Sequence, residues 1–167
     1  MLVLVLLALS SVGACGSSGS GGARTVSVDV GGATLKAEVA ADQKSRERGL
    51  SGRPGLAEGR GMLFVYPDRQ VRTFWMKGMR FPIDIIWIAR GRVTGVERNA
   101  PVPVGSVPLY SSGVPADHVL EVPAGWSGQH GVGSGTRVRI GVRLRGVADG
   151  IGANVVPFVV SQQSART

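Results

Sequence analysis

The chain has 167 residues, of which 43% are apolar, so it can form one domain with a genuine core plus tails. Glycine accounts for 26 residues and aromatics for only 5%, a balance that excludes a helical bundle and favours a small β-rich body with many turns. The formal charge is +8, with 12 Lys/Arg against 5 Asp/Glu between positions 44 and 98, which suits anionic lipid headgroups, phosphorylated polymers or acidic ligands without fixing any of them.

Residues 1–15 have the pattern of an export signal. Residues 2–9 are an unbroken apolar run, too short to span a bilayer and of the length typical of a signal-peptide core. The tetrapeptide VGAC that ends at Cys15 resembles a bacterial lipoprotein lipobox, although no Lys or Arg precedes it. The pattern predicts an exported cell-envelope protein that is anchored to the membrane by a lipid on Cys15. The alternative is an ordinary signal peptide and a secreted product.

Composition divides the rest of the chain. Residues 16–24 are rich in Gly and Ser and predict a flexible linker. Residues 25–141 carry the regular apolar patterns and predict the folded domain. Residues 142–167 form a C-terminal extension, with one extra strand at 155–160 as its most ordered interpretation and disorder after it. Because Cys15 is the only cysteine, the folded body has no disulfide, no Cys nucleophile and no Cys metal ligand.

The first elements of the domain are a hairpin and a helix. Residues 26–30 alternate apolar and polar side chains, a Gly-Gly pair follows, and a second alternating run covers residues 35–39, which predicts a β-hairpin. Asp42 is a good N-cap for a short helix that ends before Gly49.

The most apolar part of the chain is residues 61–88. Three runs, at 62–66, 71–76 and 83–88, are separated by a Pro-Asp pair and by a KGMRFP turn, and they predict buried strands. Residues 92–98 predict a strand that pairs with the third run.

The last part of the domain alternates a long loop with short elements. Residues 99–115 contain four prolines and predict an irregular loop, of the kind that often carries function. A strand at 118–122, a helical turn at 124–130 and a strand at 136–142 follow. Since no βαβ alternation is present, the sequence predicts a mainly β fold, β-rich α+β in class, in one barrel- or sandwich-like domain with one or two short helices.

Several motifs occur in a fixed order along the domain: RERGLSGR from Arg46, GMLFV from Gly61, FWMK from Phe74, PIDIIWI from Pro82 and VLEVPAG from Val119. The set resembles the domain of unknown function 192 family, also called uncharacterised protein family 0127. The resemblance covers about residues 35–140. It implies a small β-rich domain that is often exported, and it implies no activity.

Three positions depart from the pattern that the resemblance implies. The family usually has an Asn-Thr pair after Trp-Met-Lys, where this chain has Gly78-Met79. It usually has an acidic residue after the Ile-Ile strand, where this chain has Ala89-Arg90. A Gly-Asp turn is common near the end of the domain, and here it is Gly135-Thr136. These changes weaken any polar site that the family shares.

Asp84 and Lys77 interrupt the apolar region and are the first candidates for a site. A carboxylate between Ile83 and Ile85 must be paired, hydrogen-bonded or shifted in pKa. It is either a ligand-binding or acid/base group, or a structural partner of Lys77 or of backbone donors after Met76. Lys77 either presents a cation beside Trp75 to an acidic or sugar ligand, or packs its stem on apolar surface.

Other constellations are weaker. Asn99 and Tyr110 lie on the Pro-rich loop and are candidate ligand contacts. A triad of Ser111 or Ser112 with His118 and Asp84 or Asp117 has no nucleophile-elbow pattern to support it. Two histidines without clustered carboxylates indicate no metal site, and we expect no cofactor. Glu121 is interpreted as an outward strand residue or a partner for an Arg.

These observations predict a non-enzymatic binding module, monomeric, for a small polar or anionic envelope component. Trp75, Lys77, Asp84, Asn99 and Tyr110 would form its site, in a cleft between the 74–84 segment and the 99–115 loop. One alternative is an envelope hydrolase that uses Asp84 as acid or base, and another is a structural or protein-interaction domain. We expect no binding to nucleic acid, since no module signature is present.

Overall fold

Nine strands and two short helices make up residues 24–141, the part of the chain that this computed structural model describes. In chain order they are β1 (Thr25–Val30), β2 (Ala33–Ala40), α1 (Gln43–Arg48), β3 (Arg60–Gln70), β4 (Thr73–Trp75), β5 (Ile83–Ala89), β6 (Arg92–Ala100), β7 (Leu109–Ser111), β8 (Ala116–Pro123), α2 (Trp126–Gln129) and β9 (Val138–Gly141). Strands account for 51% of these residues and helices for 8%, which confirms the β-rich prediction. Cys15, the predicted signal and linker up to residue 23, and the extension at 142–167 lie outside the described residues.

Seven strands form one curled sheet in the order β6-β5-β8-β3-β2-β1-β9, and β4 pairs with β7 in a separate ribbon. All neighbours are antiparallel except β2 and β3. The sheet curls so far that its edges meet. The Val93 amide in β6 donates to the Thr136 carbonyl at 2.9 Å, and the Val93 carbonyl accepts from the Gly135 amide at 2.8 Å. This contact protects both edge strands from pairing with other chains.

The sheet separates two hydrophobic clusters, which define its inner and outer faces. The inner cluster takes side chains from all seven strands and from Trp126, so it fills the concave side. The outer cluster contains Phe64, Ile85 and Trp87 from the sheet together with Leu50 and other residues from the segments that cover it. Since successive side chains of a strand point to opposite faces, β5 sends Ile83, Ile85 and Trp87 outward and Asp84, Ile86 and Ile88 inward.

The predicted hairpin, helix and β5–β6 pair are all present. The central region differs in two ways. β3 continues through Pro67 to Gln70, because a register shift against β8 lies between Val65 and Gln70 and accommodates the proline that lacks an N–H. The predicted buried strand at 71–76 is a three-residue, partly exposed strand, since β4 pairs only with β7. None of the helices within residues 24–141 is long and apolar enough to cross a bilayer.

Candidate functional site

A pocket of about 410 Å³ lies on the outer face of the sheet, between the sheet and the segments that cover it. We call it the outer pocket. Its lining residues are Arg46, Glu47, Arg48, Gly49, Leu50, Ser51, Phe64, Tyr66, Thr73, Phe74, Trp75, Lys77, Met79, Leu109 and Glu121. The pocket therefore combines aromatic walls with three cations and two carboxyl groups.

Helix α1 brings two of the cations to the pocket. Asp42 caps the helix, with its Oδ1 accepting from the Ser45 amide at 2.9 Å. The helix ends at Gly49, whose φ of +48° is unfavourable for other residues and where a Cβ would lie 3.3 Å from the Phe64 ring. This close seating on the sheet fixes Arg46 and Arg48 at the pocket edge.

Tyr66 forms part of the wall, and two guanidiniums pack against its ring. The Arg72 guanidinium carbon is 3.9 Å from the ring centroid, and that of Arg46 is 5.0 Å away. Arg46 also donates to the Val65 carbonyl at 3.1 Å, and Arg72 pairs with Asp68 at 2.6 Å. Both guanidiniums already have partners, so they shape the pocket more than they offer free charge.

The opposite wall comes from β4 and the turn after it. Phe74 packs edge-to-face against Phe64, with ring centroids 4.9 Å apart, while Trp75 is 54% exposed at the pocket mouth. The Lys77 Nζ lies 5.5 Å from the centre of the Trp75 ring. Gly78 follows with a φ of +71°, and its carbonyl accepts from the Gly52 amide at 2.8 Å, which ties the turn to the segment after α1.

Glu121 lies at the bottom of the pocket. It belongs to β8, between Met62 of β3 and Ile85 of β5, and on the outer face of the sheet. The residue is 5% exposed, and its Oε2 has no hydrogen-bond partner. Burial raises the pKa of Glu121 to about 8, and the positive charge of Arg53 opposes that rise. At neutral pH the group is therefore a neutral acid, with an unpartnered oxygen, in the lining of an aromatic-walled cavity.

The model of the uncharacterised ACR family, DUF192, matches residues 26–140, which is more than half of the chain. The chain belongs to the DUF192 family. This confirms the resemblance seen in the sequence. No curated protein is similar enough to count as a match.

Two solved structures resemble this DUF192 domain. A protein from Sinorhizobium meliloti 1021, described as a proposed transcription regulator, is 30% identical with a TM-score of 0.66, over 73% of this chain and 98% of its own. A protein of unknown function from Novosphingobium aromaticivorans DSM 12444 is 27% identical with a TM-score of 0.65, over 72% of this chain and 89% of its own.

The DUF192 fold brings only part of the predicted site together. Trp75 and Lys77 line the outer pocket. Tyr110 pairs with Phe74 across β4 and β7 and packs on the outer cluster behind the wall, without lining the pocket. Asn99 is exposed at the end of β6, where its backbone amide donates to the Asp84 carboxylate.

Lys77 and Asp84, which are predicted to share a site or to pair with each other, lie on opposite sides of the sheet. Asp84 points to the inner face of β5 and is 0% exposed, whereas Lys77 is exposed at the pocket on the outer face. The Asp84 carboxylate accepts from the backbone amides of Asn99 at 2.8 Å, Gly125 at 3.0 Å and Ser127 at 2.8 Å. These hydrogen bonds hold the end of β6 and the start of α2 against β5. The geometry supports a structural role for Asp84, with donors other than the predicted ones after Met76.

Other polar candidates are occupied by local bonds. The Ser112 Oγ donates to the Val114 carbonyl at 2.6 Å and accepts from the Arg72 amide at 2.9 Å. The His118 Nδ1 lies 2.7 Å from the Asp117 carboxylate, an adjacent residue. No serine–histidine hydrogen bond is present between residues 24 and 141. Over the same range no group of three His, Cys, Asp or Glu side chains is placed to hold a metal ion.

Glu121 points to the outer face of the sheet, as the sequence suggests, and the charge of Arg53 acts on it, but the residue is buried there and its Oε2 has no hydrogen-bond partner. A signal for it exists in the sequence. In HVLEV, Val119 and Glu121 share one face and Leu120 and Val122 the other, and both faces are apolar. A glutamate in such a strand is as anomalous as Asp84 in IDII. The roles of Arg46, Arg48 and Tyr66 had no local signal.

Proposed function

We propose that the outer pocket binds a small ligand that combines an apolar or ring-shaped body with an anionic group. The aromatic walls would contact the body, Glu121 would bond a ligand oxygen at the closed end, and Lys77 would meet the anion at the mouth. The volume of about 410 Å³ is within the range of small-molecule sites. This proposal keeps the predicted class of ligand and replaces most of the predicted residues.

The observation that carries the proposal is the unpartnered Oε2 of Glu121. Buried polar atoms in native proteins almost always have a hydrogen-bond partner, and leaving one unsatisfied costs about 1–3 kcal/mol. Glu121 lines the cavity, so its protonated carboxyl gains that partner when it donates a hydrogen bond to a ligand oxygen. The free atom therefore supports a ligand at this end of the pocket.

Charge at the mouth favours an anionic group on the ligand. Lys77 and Arg48 are exposed there, and Arg46 adds a third positive charge. Glu47 is the one ionised acid that balances them, because Glu121 is neutral below a pH of about 8. The exposed face of Trp75 beside Lys77 also suits stacking against a sugar or another ring.

We further propose that the domain acts in the cell envelope, held to the membrane by a lipid on Cys15. The support is the apolar run at 2–9 followed by VGAC, a sequence pattern. In that location the ligand would be a component of the cell envelope. Mass spectrometry of the mature N-terminus tests this, with a diacylglyceryl-modified Cys15 as the expected result and an unmodified N-terminus downstream of it as the contrary one.

A thermal-shift screen against envelope sugars, sugar phosphates and lipid headgroups tests the pocket. We expect one class to raise the melting temperature, Glu121→Met, which removes the donor and keeps the side-chain length, to reduce that rise, and Lys77→Ala to weaken binding by about fivefold. Lys44→Ala is the matched control, since Lys44 is exposed on α1 outside the pocket. Binding of the wild-type protein should also weaken above a pH of about 8, where Glu121 ionises. A ligand that binds both pocket variants normally at all pH values would refute the site.

The raised pKa of Glu121 favours a second candidate, a hydrolase in which Glu121 is the general acid. A group that keeps its proton up to a pH of about 8 can protonate a leaving oxygen at neutral pH. This replaces Asp84, whose three backbone bonds leave it no access to the outer pocket. Glycoside and phosphate-ester substrates distinguish the candidates. If the protein is an enzyme, Glu121→Gln should still bind substrate but lose turnover. If it is a binding module, neither the wild-type protein nor Glu121→Gln should turn over any of these substrates.

A further inference from the structure

The mouth of the outer pocket continues into an exposed apolar surface. Trp75 of β4 and Leu109 of β7 are directly paired, line the pocket, and are 54% and 67% exposed. The loop that leads into β7 adds Val107 and Val104, and Val104 is 95% exposed. We call these four residues the apolar rim. Large side chains this exposed and this close together mark an interaction surface.

Cations outnumber acids around the apolar rim. Residues 99–115, which include the loop, contain no charged side chain at all. The pocket edge beside Trp75 and Leu109 carries the exposed side chains of Arg48, Lys77 and Glu47, which leaves a net positive charge. An apolar tip with a net positive border is complementary to a surface that is apolar underneath and anionic at its boundary.

We propose that the apolar rim docks on an anionic lipid bilayer, with Val104 and Val107 entering the boundary between headgroups and acyl chains. Trp75 then lies at headgroup level, where tryptophan is favoured. Lys77 and Arg48 face anionic headgroups, a contact that favours binding. The mouth of the outer pocket is turned toward the membrane. A protein partner fits less well, because Val104, which is 95% exposed, projects from the surface and does not line the outer pocket.

This surface does not depend on the ligand of the outer pocket, and it can be tested without any lipid on Cys15. The Sinorhizobium relative matches over 98% of its own chain, so a domain of this extent folds by itself. Residues 24–141 are therefore mixed with vesicles of phosphatidylcholine alone and with vesicles in which phosphatidylglycerol replaces a third of the lipid. Sedimentation measures the bound fraction. Tryptophan fluorescence reports on Trp75, since Trp87 and Trp126 are buried.

We expect binding to the anionic vesicles, a blue shift of the emission, and release by high salt. Val104→Asp places a charge at the proposed insertion point and should lower the vesicle partition by at least about fivefold. Ala57→Asp is the matched control, because it adds the same charge at an exposed loop position before β3 and should bind as the wild-type domain does. Unchanged melting temperatures for both variants show that neither acts by unfolding.

Four results would overturn the proposal. The first is the absence of binding to anionic vesicles, and the second is binding that Val104→Asp leaves intact. The third is a chain extended to Thr167 that no longer binds, which would assign the apolar rim to contact with the extension instead. A fluorescein-labelled DNA duplex serves as a competitor. Displacement of the vesicles by DNA, with Val104→Asp still bound to DNA, would identify the surface as a plain polyanion site and would also overturn the proposal.

Discussion

Two buried carboxyl groups sit one residue apart across the β5–β8 ladder and face opposite sides of the sheet. Asp84 is opposite Val122, and Glu121 is opposite Ile85. On the inner face Asp84 accepts three backbone hydrogen bonds between 2.8 and 3.0 Å. On the outer face the Oε2 of Glu121 accepts none, and burial raises its pKa to about 8. A carboxyl group therefore stabilises the fold on the inner face, whereas on the outer face it has an oxygen without a hydrogen-bond partner.

The difference shows that burial alone does not identify a functional acid. Both groups lie in strands that are apolar on either side, and both are almost completely shielded from water. What separates them is the supply of donors: α2 and the end of β6 close over Asp84, while a cavity opens beside Glu121. Each of the three predictions below tests one side of this contrast.

The largest effect is expected for Asp84→Asn. The amide group of asparagine presents N–H bonds on one side, so at least one of the three backbone donors loses its acceptor inside the protein. We expect the free energy of unfolding to fall by about 3 kcal/mol, measured by urea titration. Asp29→Asn is the matched control, because the Asp29 carboxylate makes a single 3.4 Å contact with the partly exposed Arg139, and its loss should change stability by less than about 1 kcal/mol.

An Asp84→Asn domain that is as stable as the control variant would break the contrast. It would mean that the three bonds contribute nothing net, and that Asp84 is retained for a reason other than stability. Bound fractions of any pocket ligand should stay unchanged in Asp84→Asn, since the residue does not line the pocket.

The second effect belongs to Glu121 and depends on pH. The pKa of Glu121 is about 8 in the folded protein against an ordinary value of 4.5, so the folded state holds a proton that the unfolded state releases. The contribution of Glu121 to stability is then fully present below pH 4.5 and is lost as pH rises to about 8, on the order of 5 kcal/mol in all. Glu121→Gln keeps the shape of the neutral acid and removes the titration, so the variant should be more stable than the wild-type protein above pH 8.

Urea titrations at several pH values compare the two curves, with Glu58→Gln as an exposed control. Parallel curves for the wild-type protein and Glu121→Gln would show that Glu121 titrates in its ordinary range. In that case it would be ionised at neutral pH, and both the neutral donor of the binding proposal and the general acid of the hydrolase would be lost.

Asp84 and Lys77 show how far the sequence leads. The anomaly of an aspartate within IDII marks a residue with a special role, and its place in a buried strand follows from the apolar run. Its donors, however, come from residues 15 to 43 positions away, and only the sheet order brings them together. The prediction that Lys77 shares a site with Asp84 fails for the same reason. The turn after β4 is tied to Gly52 on the outer face, which no periodicity predicts.

The outer pocket was harder to predict than the fold. Alternation, the Asp42 cap and the glycine turns give the strands and helices from short stretches of chain. The pocket joins α1, β3, β4, β7 and β8, so its residues run from Arg46 to Glu121. Only Trp75 and Lys77 were near enough in sequence to suggest a shared site. The glutamate in the otherwise apolar run of HVLEV was the signal for β8, and its meaning depended on β8 lying between β5 and β3 in the sheet.

The smallest effect tests how far the outer carboxyl feels a neighbouring charge. Arg53 forms a bidentate pair with Glu38 at 2.7 Å, and its positive charge also lowers the pKa of Glu121. Arg53→Met removes a pair that is about one-third exposed, so the stability loss should stay below about 1 kcal/mol. The titration midpoint of Glu121, followed by its side-chain carboxyl NMR signal, should move upward. Arg60→Met removes a charge that acts on Glu38 but not on Glu121, and it should leave the midpoint in place. If both variants leave it unchanged, desolvation alone sets the pKa of Glu121, and the contrast with Asp84 rests entirely on missing donors.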